Sequence, residues 1–190
     1  MQDVFELIES NNSIFALPEP EKSYFEGLKT LSEDLSHSDF FDEQGNKIIP
    51  CLKVLVDVTN LSLESVSYFL NYFFPKIFDL YESNESELSL TSDISEFFDI
   101  FFYVVSISIR NISNFEKKSL DSLRLKDLLA KTVQFHYFFQ KVDFDHSDLL
   151  RRVVSVIRDT VKILTKFDML DSVLNSNQEL EKDVLKILES

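Results

Sequence analysis

The chain has very little glycine: only Gly27 and Gly45 occur among its 190 residues. Phosphate-binding loops and the sharp turns that carry catalytic nucleophiles need glycine, because they require positive φ angles or a close approach of the backbone to a ligand. Two isolated glycines supply neither kind of loop. The sequence therefore predicts a protein without enzymatic activity, without catalytic residues and without a cofactor.

Cysteine and long hydrophobic runs are also scarce. Cys51 is the single cysteine of the sequence, so no disulfide can form within the chain, which is typical of a reducing compartment. The longest largely apolar run, residues 97–109, has 13 residues, whereas a membrane-spanning helix needs about 20. The N-terminal residues are acidic where a secretory signal is basic. We expect a cytoplasmic protein, with the nucleus as the alternative.

Basic residues are few in the first half of the chain. Residues 1–100 contain 20 acidic and 5 basic side chains, and residues 101–190 contain 13 and 14, which together give the net charge of −14. Such a chain repels the phosphates of nucleic acids, so we expect no nucleic-acid partner. The acidic surface either serves solubility or attracts a basic protein, and the sequence leaves both interpretations open.

Phenylalanine, in contrast, is abundant. Nineteen residues are phenylalanine, and several stand in pairs. Apolar residues recur at spacings of three and four along the chain, which is typical of helices that bury one face. We therefore predict an all-α protein, folded as a single all-helical domain over residues 1–190. Its helices form either an irregular stack or a compact multi-helix bundle.

Start and stop signals divide the chain into helices. Ser62 is predicted to cap one helix, and Pro75 to kink or break that helix near Phe74. Alternating apolar residues at 105–109 are typical of a strand, but the spacing of the phenylalanines upstream favours a helix, and no partner strand is evident. The helices are predicted at about residues 20–35, 50–60, 62–81, 93–112, 122–140 and 148–167, with a short one near the C-terminus.

Similar segments recur along the chain. DVTNLS at residues 57–62 and SIRNIS at residues 108–113 each end a helix with a polar residue, Asn, an aliphatic residue and Ser, and Asp159 lies in a fainter copy. The intervals are 51 residues, from 60 to 111, and 48 residues, from 111 to 159. Helical repeats of about 40–47 residues are typical of armadillo and HEAT proteins.

Over about residues 48–165 the chain resembles armadillo repeats, whose third helix ends with a leucine-rich stretch, Asn and an aliphatic residue. This resemblance implies an irregular armadillo/HEAT-like stack in which Asn60 and Asn111 line a groove and bind the backbone of an extended peptide. The small residues and the glycine that such repeats use are mostly absent here. The alternative is that both asparagines satisfy backbone groups at the ends of their helices.

The helix predicted at residues 148–167 is strongly amphipathic. Arg151, Arg158 and Lys162 lie within about 40° of one another on its polar side and form a basic ridge about 16 Å long. Such a ridge is either the solvated face of an ordinary amphipathic helix or a docking line for an acidic peptide, a phosphate or the acidic half of the same chain.

Two groups of residues are candidates for a metal-binding or catalytic site. The acidic cluster that ends at Asp148 lacks the spacing of a calcium loop and suits the start of a helix, so we predict no metal site. His136 stands among aromatic residues, where a single histidine is usually part of a core. An enzyme or a regulatory subunit with a dispersed site near His136 is nevertheless kept as an alternative.

These observations predict a non-catalytic protein–protein interaction module, a scaffold or adaptor subunit of a larger intracellular complex. The expected partners are proteins, in a hetero-complex or a homo-oligomer, without nucleic acid and without a membrane. Phe40 and Phe41, in the clearest predicted loop, are candidate partner-binding residues together with the two asparagines and the basic ridge, since interfaces are enriched in aromatic residues. A membrane-surface adaptor that uses the ridge is a further alternative.

Overall fold

The computed structural model describes residues 61–83, 92–120, 122–141, 147–175 and 177–189, together with Lys22, Ile49, Leu52 and Lys53. Its elements are α1 (Leu63–Tyr68), a π-helical turn (Phe69–Phe73), α2 (Phe74–Ser83), α3 (Ser92–Ile112), α4 (Lys117–Leu120), α5 (Leu125–Lys141), α6 (Ser147–Lys166), α7 (Leu170–Leu174) and α8 (Gln178–Glu189). No strand occurs in these ranges. The predicted all-α fold is therefore confirmed.

Several local predictions can be compared with these elements. The contested segment 105–109 lies inside α3 and is helical. Ser62 caps α1, and its Oγ accepts a hydrogen bond from the backbone N–H of Ser65 at 3.1 Å. Outside the described residues lie the predicted helix at residues 20–35 apart from Lys22, the loop that contains Phe40 and Phe41, and most of the helix at residues 50–60. The single domain over residues 1–190 stays a prediction.

Pro75 does not break its helix. The chain passes from α1 into α2 through the π-helical turn, and the backbone N–H of Phe74 bonds to the carbonyl of Phe69, five residues earlier. A π turn of this kind widens the helix by one residue. Because the widened turn directly precedes Pro75, the helix accommodates the proline by a local change of hydrogen-bond register, and the apolar face continues into α2.

The helices form two layers. In the first layer α2 packs on α5, and in the second α3 packs on α6, while α5 and α6 pack on each other across the layers. Phe78 and Tyr81 of α2 contact Phe135 and Phe138 of α5 in ascending order, so these two helices run parallel. α8 packs on both α5 and α6. The described residues thus form a stack of helical hairpins.

A cluster of aromatic rings joins the two layers. Phe135 of α5 is fully buried, and its ring centroid lies within 6.2 Å of six other ring centroids, contributed by Phe74, Phe78, Tyr81, Phe98, Phe102 and Phe139. Many of these pairs meet edge to face, an arrangement that aromatic rings prefer. Tyr68 is also buried, and Tyr72 packs against the core. In this part of the chain the abundant aromatic residues fill the core.

α6 ends without glycine. Asp168 has a φ of 55°, and it is the one non-glycine residue with positive φ among the described residues. The N–H of Met169 bonds to the carbonyl of Leu164 at 2.8 Å, which closes the helix end.

None of the helices in the described ranges combines the length and the hydrophobicity that crossing a bilayer requires.

We predict that Phe135→Ala lowers the free energy of unfolding by about 3–5 kcal/mol, because it removes the ring on which both layers converge and leaves a cavity. Chemical denaturation followed by far-ultraviolet circular dichroism measures this loss. The matched control is Leu185→Ala on α8, where the side chain is 51% exposed and a change within about 0.5 kcal/mol is expected. Equal losses in the two variants would contradict the assigned core.

Candidate functional site

A polar cleft of the described surface lies between α3 and α6. It has a volume of about 480 Å³ and is lined by Asp99, Ser106, Arg110, Asp148, Arg151, Arg152 and Ser155. The two helices run parallel here, because Asp99 pairs with Arg152 near one end and Arg110 approaches Asp159 near the other. Three arginines therefore converge on one cleft in a chain whose net charge is −14.

Arg152 is occupied within the structure. Its Nε and Nη2 donate hydrogen bonds to Oδ1 and Oδ2 of Asp99 at 2.6 and 3.1 Å, and its guanidinium carbon lies 5.1 Å from the centroid of the Tyr103 ring. A two-point pair of this kind has a fixed geometry, and both partners are partly buried. Arg152 thus ties α6 to α3 and forms a wall of the cleft.

Arg151 is held more loosely. Its Nη2 lies 2.6 Å from Oδ1 of Asp148, and its Nε donates to the backbone carbonyl of Ser147 at 3.1 Å. Arg151 and Asp148 are both largely exposed, and exposed ion pairs contribute only about 0–1 kcal/mol. Another carboxylate can therefore replace Asp148 at little cost.

Arg110 faces the cleft from α3 with its donors available. Its Nε lies 3.9 Å from Oδ2 of Asp159, a distance too long for a hydrogen bond, and its side chain is 63% exposed. The guanidinium group makes no hydrogen bond to another described residue. Asp159 is only 20% exposed and also lies 3.5 Å from Nζ of Lys162, so one carboxylate stands between two cations.

The predicted ridge lies on the exposed side of α6. Arg158 is exposed and makes no ion pair with any residue in the described ranges, and Lys162 is exposed apart from its contact with Asp159. Arg151, Arg158 and Lys162 are thus placed along one line, and Arg110 joins them from the neighbouring helix. We call these four residues the cationic strip. The binding role of Arg151, Arg158 and Lys162 stays a prediction.

Sequence reasoning missed Arg110 and the position of Asp159 beside it. Arg110 belongs to the SIRNIS segment and Asp159 to its faint copy VIRDTV. Aligning the two segments pairs Arg110 with Arg158 and Asn111 with Asp159, which was the available signal. Only the packing of α3 on α6 reveals that the two segments lie side by side.

Asn111 does not face solvent. It is only 5% exposed, its Oδ1 accepts a hydrogen bond from the N–H of Leu61 at 2.9 Å, and its Nδ2 donates to the carbonyl of Ile107 at 2.9 Å. The amide thus satisfies one backbone group of its own helix and one that lies 50 residues away. A peptide-binding role has no support from this placement. Asn60 lies outside the described residues.

His136 is buried on α5. Its Nδ1 has no hydrogen-bond partner, and no described side chain forms a hydrogen bond to the imidazole. Burial lowers the pKa of His136 below 6.5, and the nearby charge of Lys186 lowers this pKa further. The adjacent Tyr137 donates a hydrogen bond to Asp183 of α8 at 2.7 Å, and this bond raises the pKa of Tyr137 to about 12. These contacts attach α8 to α5.

No group of three or more His, Cys, Asp or Glu residues able to hold a metal ion is found in the described ranges. The acidic cluster before α6 lies outside these ranges except for Asp148, which pairs with Arg151. The α3–α6 cleft is lined by three arginines, two serines and two aspartates.

A comparison of the chain with models of protein families, with curated proteins and with solved structures finds no match in any of the three. The resemblance to armadillo and HEAT repeats consequently stays a prediction.

We predict that Asn111→Ala lowers the free energy of unfolding by about 1–3 kcal/mol, because the buried N–H of Leu61 loses its acceptor. Thermal and chemical denaturation measure this change. Asn114→Ala is the matched control, since Asn114 is exposed. A normal stability of the Asn111 variant, combined with a loss of partner binding, would instead support the peptide-binding role that the resemblance implies.

The lowered pKa of His136 predicts that the stability of the protein depends on pH. Its pKa is lowered in the folded state. Above about pH 6.5 the imidazole is neutral in both the folded and the unfolded state, so His136 does not change the free energy of unfolding there. As the pH falls below 6.5, the unfolded chain binds the proton first and the free energy of unfolding decreases, by at most about 1.4 kcal/mol per pH unit, until the folded pKa is reached. Denaturation of wild type and His136→Leu between pH 8 and 5 isolates this contribution. Identical pH profiles would contradict it.

Proposed function

We propose that the chain is a non-catalytic protein-interaction module whose stacked helices present the cationic strip to an acidic region of a protein partner. The observation that supports this proposal is the availability of hydrogen-bond donors in the strip. Arg110 and Arg158 make no hydrogen bond to another described residue through their side chains. Arg151 contacts only the exposed Asp148 and Ser147 of its own helix, and Lys162 has only a long ion pair with Asp159. Donors of this kind can bind a partner without first breaking a strong internal interaction.

The strip is not required for the packing of the helices. α3 and α6 pack closely on each other, both carry buried apolar side chains such as Val105, Val156 and Ile163, and Arg152 of α6 pairs with Asp99 of α3. Surface charges outside such pairs usually change stability by less than about 0.5 kcal/mol. Four basic residues converging on a surface that does not need them for folding are a reason to assign them to binding.

A protein partner suits the strip better than a nucleic acid. The whole chain carries a charge of −14, which opposes the approach of a long polyanion. Two carboxylates, those of Asp148 and Asp159, also lie within the strip. A folded protein with a short acidic segment presents far less negative charge, and arginine binds its carboxylates in a planar two-point geometry.

We predict that the double variant Arg158→Glu/Lys162→Glu loses at least about tenfold in the capture of a specific partner, since two attractive charges become repulsive. Affinity purification of the full chain from its native cells, with quantitative mass spectrometry, measures partner recovery. The matched control is Lys141→Glu/Lys182→Glu, which changes two exposed lysines on α5 and α8 and alters the net charge equally.

Recovery of the same partners by both double variants would remove the cationic strip from the interaction. If no protein is recovered in stoichiometric amounts with wild type, the interaction module itself is refuted. Unfolding curves of the variants distinguish either result from misfolding.

A further inference from the structure

The two carboxylates beside the cationic strip differ in their exposure. Asp148 is largely exposed at the start of α6 and bonds to Arg151 at 2.6 Å, so it can turn into solvent. Asp159 is mostly buried between Arg110 and Lys162, at 3.9 and 3.5 Å from their nitrogens. Its carboxylate therefore stays beside both cations and partly neutralises them whether or not a ligand is bound.

We infer that the cationic strip binds an extended acidic peptide segment through carboxylates, and that Asp159 acts as a built-in competitor that weakens this binding. This inference rests on the proposed function and specifies the chemistry of the partner. Asp148 is the exchangeable competitor, which an incoming carboxylate replaces on Arg151. Asp159 is the fixed competitor, which remains near the ligand.

The length of the strip determines how much peptide it binds. Arg151 and Lys162 are 11 residues apart on α6, which is about 16 Å at 1.5 Å per residue. An extended chain advances about 3.3 Å per residue, so five or six residues cover this distance. Alternate side chains of an extended segment point to the same side, so two or three acidic side chains can reach the strip together.

Asp159 reduces the advantage that a phosphate would otherwise have over a carboxylate at this strip. A phosphoryl group carries about two negative charges at neutral pH, so its attraction to the cations and its repulsion by Asp159 are both about twice those of a carboxylate. Arg110 and Arg151 lie on opposite sides of the cleft, where each guanidinium can bind one carboxylate through two parallel hydrogen bonds. Repulsive elements of this kind set specificity by rejecting the wrong ligand.

The test uses the full chain and fluorescein-labelled hexaglutamate, with binding followed by fluorescence anisotropy at low ionic strength and neutral pH. We expect Asp159→Asn to tighten binding about three- to tenfold, because the fixed competitor is removed. Arg110→Gln and Arg158→Gln should each weaken binding about five- to tenfold. Asp171→Asn on α7 is the matched control, since Asp171 is exposed and the variant has the same net charge as Asp159→Asn.

Three results would overturn the inference. The first is undetectable binding of hexaglutamate to both wild type and Asp159→Asn. The second is an equal gain in Asp159→Asn and Asp171→Asn, which would mean that only the net charge matters. The third is tighter binding to wild type of a phosphoserine peptide of the same length, or of hexauridylate, than of hexaglutamate.

The proposed function is tested separately by the capture experiment. Capture that depends on the strip, together with no binding of hexaglutamate, leaves the interaction module intact and refutes only the acidic segment. Unfolding curves of Asp159→Asn and a second variant, Asp159→Ser, show whether loss of the partly buried carboxylate disturbs the fold. If both variants remain folded and bind no tighter than wild type, the role of Asp159 as competitor is refuted.

Discussion

The packing of large flat rings between two layers of helices determines the rest of this structure. Phe101 of α3 stacks on Phe74 of α2 with ring centroids 5.5 Å apart and an interplanar angle of 11°, while Phe102 meets Phe135 of α5 edge to face at 5.2 Å. Rings of this size have few ways to interlock, so the rotation and height of each helix are strongly restricted. These rings position α3 against α2 and α5, whereas α6, which contains no aromatic residue, is aligned with α3 by its packing on that helix and by the pair of Arg152 and Asp99.

Polar contacts at the edges of the stack maintain the same alignment. Asn71 bonds to the backbone of Ser122 and Arg124, 51 and 53 residues away, and Arg152 pairs with Asp99 at a separation of 53. Asn111 reaches Leu61 at a separation of 50. Contacts of nearly constant separation mean that successive hairpins meet in the same register. Neighbouring units of this kind stabilise one another mainly through their shared interfaces.

Much of the fold could be predicted from the residues because its signals are local. The spacing of Phe97, Phe101 and Val105 indicates a helix even where alternation at 105–109 suggests a strand, and Ser62 marks a helix start by its capping hydroxyl. The effect of Pro75 could not be predicted, because a kink, a break and a π turn all satisfy the same local constraint. Tertiary packing selects among them.

The cationic strip was predictable only in part for the same reason. Helical periodicity places Arg151, Arg158 and Lys162 on one side of α6, because they belong to one element. The place of Arg110 in the strip and the burial of Asp159 depend on the packing of α3 on α6. The similar segments that contain Asn60 and Asn111 gave the approximate spacing of the units, but they did not indicate which side chains face inward. Asn111 was expected in a groove because its sequence context resembles repeats whose asparagines bind peptides, but the amide here bonds to the neighbouring backbone.

The net charge of the chain affects how an acidic segment would approach the cationic strip. At physiological ionic strength the Debye length is about 8 Å, so the net charge of −14 acts on a partner only near the surface, and the strip dominates only at contact. The net charge repels an acidic ligand, whereas the strip attracts it. Under the proposed function, association would therefore not be accelerated over long distances, and the strip would select short acidic segments carried by a partner that is otherwise basic or neutral. Such a partner would also be attracted by the excess of acidic residues in the first half of the sequence.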